Sequence, residues 1–200
     1  MRKISTLYKK NPENLGRVID EINSENQWVF DGEGIATRKF DGTAAAIIGG
    51  ELYKRYDVKK RKQVPTNAIP CQEPDTITGH WPHWVKCDRD KAEDKYFFEG
   101  FDNLLSECAF VAQINNHFLD GTYELCGPKV QGNPENFDKH ILVKHGADEI
   151  QIVPLFFDGW KEFFLHHDIE GVVFHHHDGR MCKIRKSDFG IKRQSTLITQ

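Results

Sequence analysis

Arg38-Lys39-Phe40-Asp41-Gly42-Thr43 places a lysine two residues before an Asp-Gly pair. Taken alone, Lys-x-Asp-Gly is typical of an ordinary turn between two strands, because Asp and Gly both favour turns. The small and β-branched residues of Thr43–Ile48 predict a strand after this turn, and Gly49-Gly50 predicts a hairpin. Glu51–Tyr56 is then the predicted returning strand.

Three later segments carry charged side chains in otherwise apolar strands. They are Tyr123-Glu124-Leu125-Cys126-Gly127, Glu170-Gly171-Val172-Val173-Phe174 and Lys183-Ile184-Arg185-Lys186. Because side chains alternate along a strand, Lys183 and Arg185 are expected on one face, where two cations suit phosphate binding. A carboxylate in an apolar strand, such as Glu124, needs a partner, since an unpaired buried charge is costly.

Together with residues 38–43, these segments resemble the motifs of covalent nucleotidyltransferases and follow the same order. Covalent nucleotidyltransferases are the ligases and capping enzymes that carry AMP or GMP on lysine. The set as a whole resembles an ATP-dependent RNA ligase. Gly79-His80-Trp81-Pro82 and Ser187-Asp188-Phe189-Gly190 are similar to segments of the small family related to the vertebrate 5′-3′ RNA ligase. That resemblance extends over most of the chain.

The resemblance implies an α+β fold. It is the nucleotidyltransferase (ATP-grasp-like) core of twisted, mainly antiparallel sheets with flanking helices. We expect a single nucleotidyltransferase domain over residues 1–200 and no OB-fold domain, because the chain ends at about the end of that core.

The resemblance also implies that Lys39 is the catalytic nucleophile. An amine attacks a phosphate only when it is neutral, and a free lysine, with a reference pKa of about 10.4, is almost wholly charged at pH 7. Neighbouring cations and partial desolvation favour the neutral form. The implied reaction forms lysyl-AMP, transfers AMP to an RNA 5′-phosphate, and seals that end to a 3′-hydroxyl with release of AMP.

The implied ATP-binding residues lie in or near the motifs and are Arg38, Asp41, Gly42, Arg55, Glu124, His140, Lys183 and Arg185. Glu124 is expected to bind the ribose, and Asp41 to order the nucleophile loop rather than act as a base. Related ligases place a side chain against the adenine at the strand that begins near residue 140. The sequence leaves that contact open between His140 and Leu142.

Arg55 is the expected substitute for an arginine that related enzymes often carry shortly after the lysine. This chain has Ala44 at that early position. A hairpin of the predicted length would bring Arg55 back beside Lys39. The alternative is a solvent-facing arginine on a strand. Arg185 stands where the family more often has lysine, but it keeps the charge and can contact phosphate bidentately.

Glu170 is the implied metal ligand, for Mg²⁺ with Mn²⁺ as an alternative, because a carboxylate suits a hard cation. The histidines at 166, 167 and 175–177 suggest zinc at first sight. Successive strand residues point to opposite faces, however, and no cysteine pair has zinc-site spacing. Backbone, phosphate or structural contacts are the favoured interpretation of these histidines.

A basic run of Lys59, Lys60, Arg61 and Lys62 follows the second strand of the hairpin. A charge run is usually a solvated loop. The alternative is a phosphate-binding loop that contacts RNA or the ATP triphosphate.

Composition favours one soluble globular domain. The chain has 200 residues, 38% hydrophobic residues and a net charge of −3. No apolar run approaches the ~20 residues of a membrane helix, and the N-terminus lacks a signal-peptide core. The five cysteines include no Cys-x-x-Cys pair, which favours reduced thiols and a cytoplasmic protein without a membrane partner.

Elsewhere, Gln27–Phe30 is predicted to be a strand and Tyr96–Val111 an amphipathic helix. Thr78–Trp84 is predicted to be a Pro-bearing loop that packs as the lid of a core or stacks on a base. Trp160–Leu165 is predicted to be a short helix.

Two other functions remain possible at this stage. One is a different covalent nucleotidyltransferase, either a GTP-using capping enzyme or an enzyme that modifies protein. The other is a non-catalytic RNA-binding module on the same fold. Binding alone would not require a lysine nucleophile, so the set of Lys39, Glu124, Glu170 and Lys183 favours the RNA ligase, with ATP and RNA ends as partners.

Overall fold

The computed structural model describes residues 4–59, 62–75, 79–108 and 117–193. The chain divides into two units. The first, which we call the Lys39 unit, contains the described residues of Lys3–Asp41 and Gly146–Gln200. The second, the Glu124 unit, contains those of Gly42–His145. That residues 1–200 act as one nucleotidyltransferase domain stays a prediction.

The secondary structure of the described residues is mostly strands. In chain order the strands are β1 (Ser5–Thr6), β2 (Tyr8–Asn11), β3 (Asn14–Ile22), β4 (Ile35–Lys39), β5 (Thr43–Ile48), β6 (Glu51–Val58), β7 (Ile69–Pro70), β8 (Trp81–Lys86), β9 (Gly121–Cys126), β10 (Ile141–Lys144), β11 (Gly171–His175) and β12 (Met181–Arg185). The α-helices are α1 (Gln27–Phe30), α2 (Lys95–Glu107) and α3 (Phe157–His166), and short 3-10 helices cover Ser24–Asn26, Ala92–Asp94 and Lys186–Phe189.

The Lys39 unit contains a four-stranded sheet in the order β1-β12-β11-β4, and a hairpin of β2 and β3. Within the sheet β1 runs parallel to β12, and the other neighbours are antiparallel. Alternate residues of β11 and β12, such as Val172 and Ile184, are buried against Trp160 and Phe164 of α3. This apolar core covers one face of the sheet, and Lys39, Lys183 and Arg185 lie on the opposite face.

The Glu124 unit contains a six-stranded antiparallel sheet in the order β10-β9-β5-β6-β8-β7. The predicted hairpin at Gly49-Gly50 joins β5 to β6. Helix α2 packs against β10 and β9, and Phe97, Tyr123, Leu125 and Leu142 are among the buried residues of this core.

The predicted α+β class with mainly antiparallel sheets is confirmed in both units. The predicted helix over Tyr96–Val111 corresponds to α2, although residues 109–111 lie outside the described residues. The predicted helix at Trp160–Leu165 corresponds to α3. Among the described residues, no helix is long and apolar enough to cross a membrane.

Two predictions of local structure are wrong. Gln27–Phe30 is helix α1 and not a strand. The adjacent residues Trp28 and Val29 are both buried in the same core, which a strand could not achieve because it points neighbours to opposite faces. The preceding 3-10 helix is capped by Asn23, whose side chain accepts a hydrogen bond from the backbone of Glu25.

The other error concerns the predicted loop over Thr78–Trp84, where Trp81–Lys86 forms strand β8. Thr78 lies outside the described residues. β8 pairs with β6 on one side and β7 on the other, so its hydrogen bonds come from partners distant in sequence. Trp84 is buried, in agreement with the interpretation that this segment packs on a core.

Candidate functional site

Lys39 ends β4 in direct contact with Glu170. The Nζ atom of Lys39 donates a hydrogen bond to Oε2 of Glu170, and the two side chains are 23% and 21% exposed. The contact follows from register, since Lys39 pairs with Gly171, the first residue of β11. The backbone N–H of Lys186 donates to the carbonyl of Glu170 at 2.9 Å and fixes the residue before the strand.

The same register places Arg185 on the face that carries Lys39. Gly171 pairs with Lys39 on one side and with Arg185 on the other, and paired residues of neighbouring strands point to the same face. Gly171 has to be glycine, because a Cβ atom there would lie 2.4 Å from the carbonyl oxygen of Ile184. No side chain therefore projects from the middle strand between the lysine and the arginine.

Lys183 lies on this face two residues earlier in β12, where it pairs with Val173. The pKa of Lys183 is lowered to about 8, chiefly by burial and also by the positive charges of Arg185 and Lys39, while Glu170 and Asp188 act in the opposite direction. Lys183 therefore lies in a partly desolvated site close to two other cations. Such a site is well suited to a polyanion.

Asp188 links Arg185 to another cation, Lys10. Asp188 is fully buried and accepts hydrogen bonds from Nη2 of Arg185 at 2.8 Å and from Nζ of Lys10 at 2.7 Å. Sequence reasoning did not identify either residue as functional. Asp188 stood in a segment quoted for its resemblance, but nothing in the sequence indicates contact with Lys10, 178 positions away.

Arg38 and Asp41, on either side of Lys39 in sequence, make different contacts. Arg38 points to the core face of the sheet, and its guanidinium carbon lies 4.7 Å from the ring centroid of Phe40. Asp41 lies 3.9 Å from Nη1 of Arg193, which also donates through Nη2 to the carbonyl of Asp168 at 3.0 Å. This ion pair links Asp41 to the chain beyond β12, and the ordering role of Asp41 stays a prediction.

Glu124, in the other unit, is 8% exposed and hydrogen-bonded to His145. The Nε2 atom of His145 lies 3.0 Å from Oε2 of Glu124, and its Nδ1 atom lies 2.9 Å from the hydroxyl of Thr122. Donation by Thr122 to Nδ1 leaves the Nε2 proton for Glu124. His145 was not identified from the sequence. Gly42 packs against this strand, and a Cβ atom there would lie 2.2 Å from the carbonyl oxygen of Leu125.

Arg55 and Glu124 lie on either side of Ala44. Ala44 pairs with Glu124, and the register of Ala45 with Lys54 brings Arg55 next to Ala44 on the other side. The substitution of Arg55 for an arginine at position 44 is therefore compatible with the sheet. Nε of Arg55 donates to Asp57 at 3.1 Å. The predicted position of Arg55 beside Lys39 stays a prediction.

His140 has protein partners on both ring nitrogens. Nδ1 lies 2.7 Å from a Glu99 oxygen, and Nε2 accepts the backbone N–H of Lys129 at 3.3 Å. The ring also stacks on Tyr96 with centroids 4.4 Å apart. Leu142 is part of the apolar core. The adenine contact at either residue stays a prediction.

The role of the basic run stays a prediction, whereas the histidines at 166, 167, 175 and 176 make hydrogen bonds to protein groups. Lys59 and Lys62 are exposed, whereas Lys60 and Arg61 lie outside the described residues. The Nε2 atom of His176 lies 2.7 Å from Oε2 of Glu33. Within the described parts of the chain, no group of three or more His, Cys, Asp or Glu side chains could hold a metal ion.

Comparison with known proteins adds independent information. No protein-family model matches the chain. RNA ligase 1 of Pongo abelii is 27% identical over 161 residues, which cover 66% of this chain and 46% of that protein. RNA ligase 1 of Rattus norvegicus is 25% identical over 224 residues, covering 78% of this chain and 67% of that protein.

RNA ligase 1 of Mus musculus is 24% identical over 223 residues, with the same coverage of 78% and 67%. The match thus spans about half the length of the Pongo protein and two thirds of each rodent protein. The resemblance inferred from the motifs is confirmed: the chain is a distant homologue of the vertebrate RNA ligase 1 proteins.

Proposed function

We propose that this protein is an ATP-dependent RNA ligase that joins RNA 5′-phosphate and 3′-hydroxyl ends through a lysyl-AMP intermediate. The observation that carries the proposal is the shared sheet face on which Lys39, paired with Glu170, lies across a glycine from Arg185 and near Lys183. The homology to proteins named RNA ligase 1 supports the substrate class.

We propose, accordingly, that the α+β fold is a nucleotidyltransferase core and that residues 1–200 act as one nucleotidyltransferase domain. The order of the motifs along the chain supports this assignment. The mainly antiparallel sheets of both units are compatible with it.

The first step transfers AMP to the protein. Neutral Lys39 attacks the α-phosphorus of ATP, a phosphorus–nitrogen bond forms, and the bond to the β-phosphate oxygen breaks to release pyrophosphate. The proton that Lys39 loses has an acceptor in the Glu170 carboxylate, which already holds it by a hydrogen bond. Lys183 and Arg185 neutralise the developing charge on the phosphates, which is the main source of catalysis in phosphoryl transfer.

The second and third steps move AMP to RNA and then seal the strand. A 5′-phosphate oxygen of RNA attacks the lysyl-AMP phosphorus, the phosphorus–nitrogen bond breaks, and Lys39 regains a proton and leaves as an amine. The 3′-hydroxyl oxygen then attacks the 5′-phosphate and gives up its proton to solvent, and AMP leaves with the electron pair of the broken pyrophosphate-type bond.

The Glu124 unit supplies the proposed ribose and further phosphate contacts. Glu124 has one described side-chain partner, His145, so its second oxygen can accept a ribose hydroxyl proton. Arg55 would contact phosphate. Gly42 would support ATP binding through the close packing of its backbone on β9. Arg38 would support it through its contact with Phe40, which follows Lys39 in the chain. The exposed Lys59 and Lys62 are the described candidates for contact with the RNA backbone.

A divalent cation fits Glu170 chemically. A carboxylate is the oxygen ligand that Mg²⁺ prefers, and Mg²⁺ commonly binds through one or two carboxylates together with substrate phosphates and water. When bound, the ion would supply positive charge to the phosphates.

The test is covalent labelling with α-³²P-ATP and Mg²⁺, followed by a denaturing gel. Wild type should retain label, and Lys39→Ala and Lys39→Arg should lose it. Lys139→Ala is the matched control, because Lys139 is another glutamate-paired lysine, bound to Glu107 at 2.9 Å. Label in the Lys39 variants would mean that another lysine is the nucleophile.

Nucleotide and polynucleotide specificity separates the proposal from its alternatives. Labelling by GTP in preference to ATP would indicate a capping-type enzyme. Transfer of label from the isolated lysyl-AMP protein to 5′-phosphorylated RNA, and not to DNA or protein, is the expected result. Intact ATP binding without any label would contradict the ligase proposal.

A further inference from the structure

Arg185 is held from behind by a carboxylate that water does not reach. Asp188 has no exposed surface. Its Oδ2 atom accepts the backbone N–H of Arg185 at 2.9 Å, and its Oδ1 atom accepts Nη2 of the same arginine at 2.8 Å. Nε of Arg185 lies 3.5 Å from Oδ2, so one whole edge of the guanidinium faces this carboxylate.

We propose that Asp188 is a positioning residue that holds one edge of the Arg185 guanidinium and directs its free edge to phosphate, and that this pairing is why arginine and not lysine works at position 185. The inference rests on the proposed function, in which Arg185 binds the phosphates of ATP. A guanidinium has five N–H donors in a rigid fork, so it can satisfy a carboxylate and still offer Nη1 to an anion.

A lysine at position 185 would behave differently. A lysine has one ammonium group and cannot, like a guanidinium, bind a carboxylate on one edge and a phosphate on the other. The fully buried Asp188 carboxylate would attract that ammonium group strongly. The lysine would pair with Asp188 and be withdrawn from the face that carries Lys39 and Lys183. The arginine is thus adapted to the aspartate three residues later.

The backbone around Asp188 is fixed independently of the cations. Asp188 lies in the 3-10 helix Lys186–Phe189, which follows β12 directly and forms a capping box with Arg185. The next residue, Phe189, packs in the core with its ring centroid 5.0 Å from that of Phe157. Because Phe189 is anchored, the Asp188 carboxylate is held in place and can orient Arg185.

Lys10 helps to keep this carboxylate ionised. Burial alone would raise the pKa of Asp188, but hydrogen bonds from Arg185 and Lys10 outweigh it and hold the pKa below its usual range. Asp188 is therefore an anion at neutral pH. With its two cationic partners it forms a group of net charge +1, which leaves positive charge available for phosphate.

The test measures binding of inorganic tripolyphosphate by isothermal titration calorimetry, together with lysyl-AMP formation, in one set of variants. Arg185→Lys should bind tripolyphosphate as weakly as Arg185→Met, about tenfold or more below wild type, since one charge-assisted hydrogen bond contributes ~1.5–3 kcal/mol. Asp188→Asn should also weaken binding and raise the KM for ATP.

The double variant Arg185→Lys with Asp188→Asn provides the decisive comparison. Removing the competing carboxylate frees the lysine, so the double variant should bind tripolyphosphate more tightly than Arg185→Lys alone, a non-additive result for residues in contact. Asp94→Asn is the matched control, because Asp94 is another fully buried, lysine-paired aspartate, in the other unit. It should leave tripolyphosphate binding unchanged.

Three outcomes would overturn the inference. Arg185→Lys could bind like wild type, a result that does not depend on whether Asp188→Asn folds. Asp188→Asn could behave like Asp94→Asn, or the double variant could show simple additivity. Failure of the proposed function looks different, since wild type would then form no lysyl-AMP whatever the calorimetry of the variants.

Discussion

Replacing Lys183 with methionine is expected to stabilise the ligand-free protein at neutral pH and to abolish lysyl-AMP formation. Methionine has similar length, and its burial carries no charge penalty. The charged lysine is held in a partly desolvated site beside Arg185 and Lys39, where both charges repel it. In the proposed function the same positive charge would bind the phosphates of ATP, so stability and function would oppose each other at this residue.

The magnitude follows from the pKa of Lys183, which falls from 10.5 to about 8 in the folded protein. At about 1.36 kcal/mol per pKa unit, the folded state is penalised by about 3–4 kcal/mol at most, and relaxation and water penetration reduce this to about 2 kcal/mol. Because the folded pKa is the lower one, the unfolded chain binds more protons between pH 8 and 10.5, and stability rises with pH there. The penalty is complete below pH 8 and vanishes near 10.5.

The assay is urea unfolding of wild type and Lys183→Met between pH 7 and pH 10, followed by tryptophan fluorescence. Trp28 and Trp160 are buried in the core of the Lys39 unit and report on it. Burial raises the pKa of Cys182 and of Tyr8 to about 12. Both proteins contain these groups, so their effect on the free energy of unfolding cancels when wild type is compared with Lys183→Met.

Lys54→Met is a control of opposite sign. Burial lowers the pKa of Lys54, but the hydrogen bond to Asp94 and the negative charges of Asp94 and Glu93 together outweigh it, so the pKa is raised overall. Its removal leaves Asp94 buried without its lysine and should destabilise the protein. The reasoning would be refuted if Lys183→Met were less stable than wild type at pH 7, or if its gain were the same at pH 7 and pH 10.

Two other substitutions test the geometry of the two units. Gly171→Ala places a Cβ atom 2.4 Å from the Ile184 carbonyl oxygen, so urea titration should give a loss of about 2 kcal/mol or more as β12 is displaced. Gly179→Ala, which has open space and φ +90°, should lose only the ~1 kcal/mol of backbone strain. Equal losses would contradict the close approach at Gly171. His145→Leu removes the described donor to Glu124 and should destabilise by about 1–3 kcal/mol. It should also raise the KM for ATP in the labelling assay; an unchanged KM would separate His145 from nucleotide binding.

Local patterns predicted the parts of the site that depend on neighbours in sequence. Strand alternation correctly placed Lys183 and Arg185 on one face and Ile184 in the core. Gly49-Gly50 correctly predicted the hairpin of β5 and β6. These rules succeed because the direction of a side chain and the geometry of a tight turn are set by a few adjacent residues.

The errors and omissions share a physical cause. Gln27–Phe30 is helical because both Trp28 and Val29 contact the core, and Trp81–Lys86 is a strand because two distant strands pair with it. Neither partner is visible in a local pattern. His145 was missed because its contact with Glu124 depends on the register of β10 with β9.

The sequence by itself determined the kinds of chemistry available: a lysine before Asp-Gly, two cations on one strand face, and a glutamate at the start of another strand. Only the tertiary structure decided which of these groups meet. Lys39 reaches Glu170 across 131 positions, and Lys10 reaches Asp188 across 178. Hydrogen bonds and charge interactions act over a few ångströms, so these contacts depend on the pairing of β4 with β11 and of β1 with β12, which brings residues distant in sequence together.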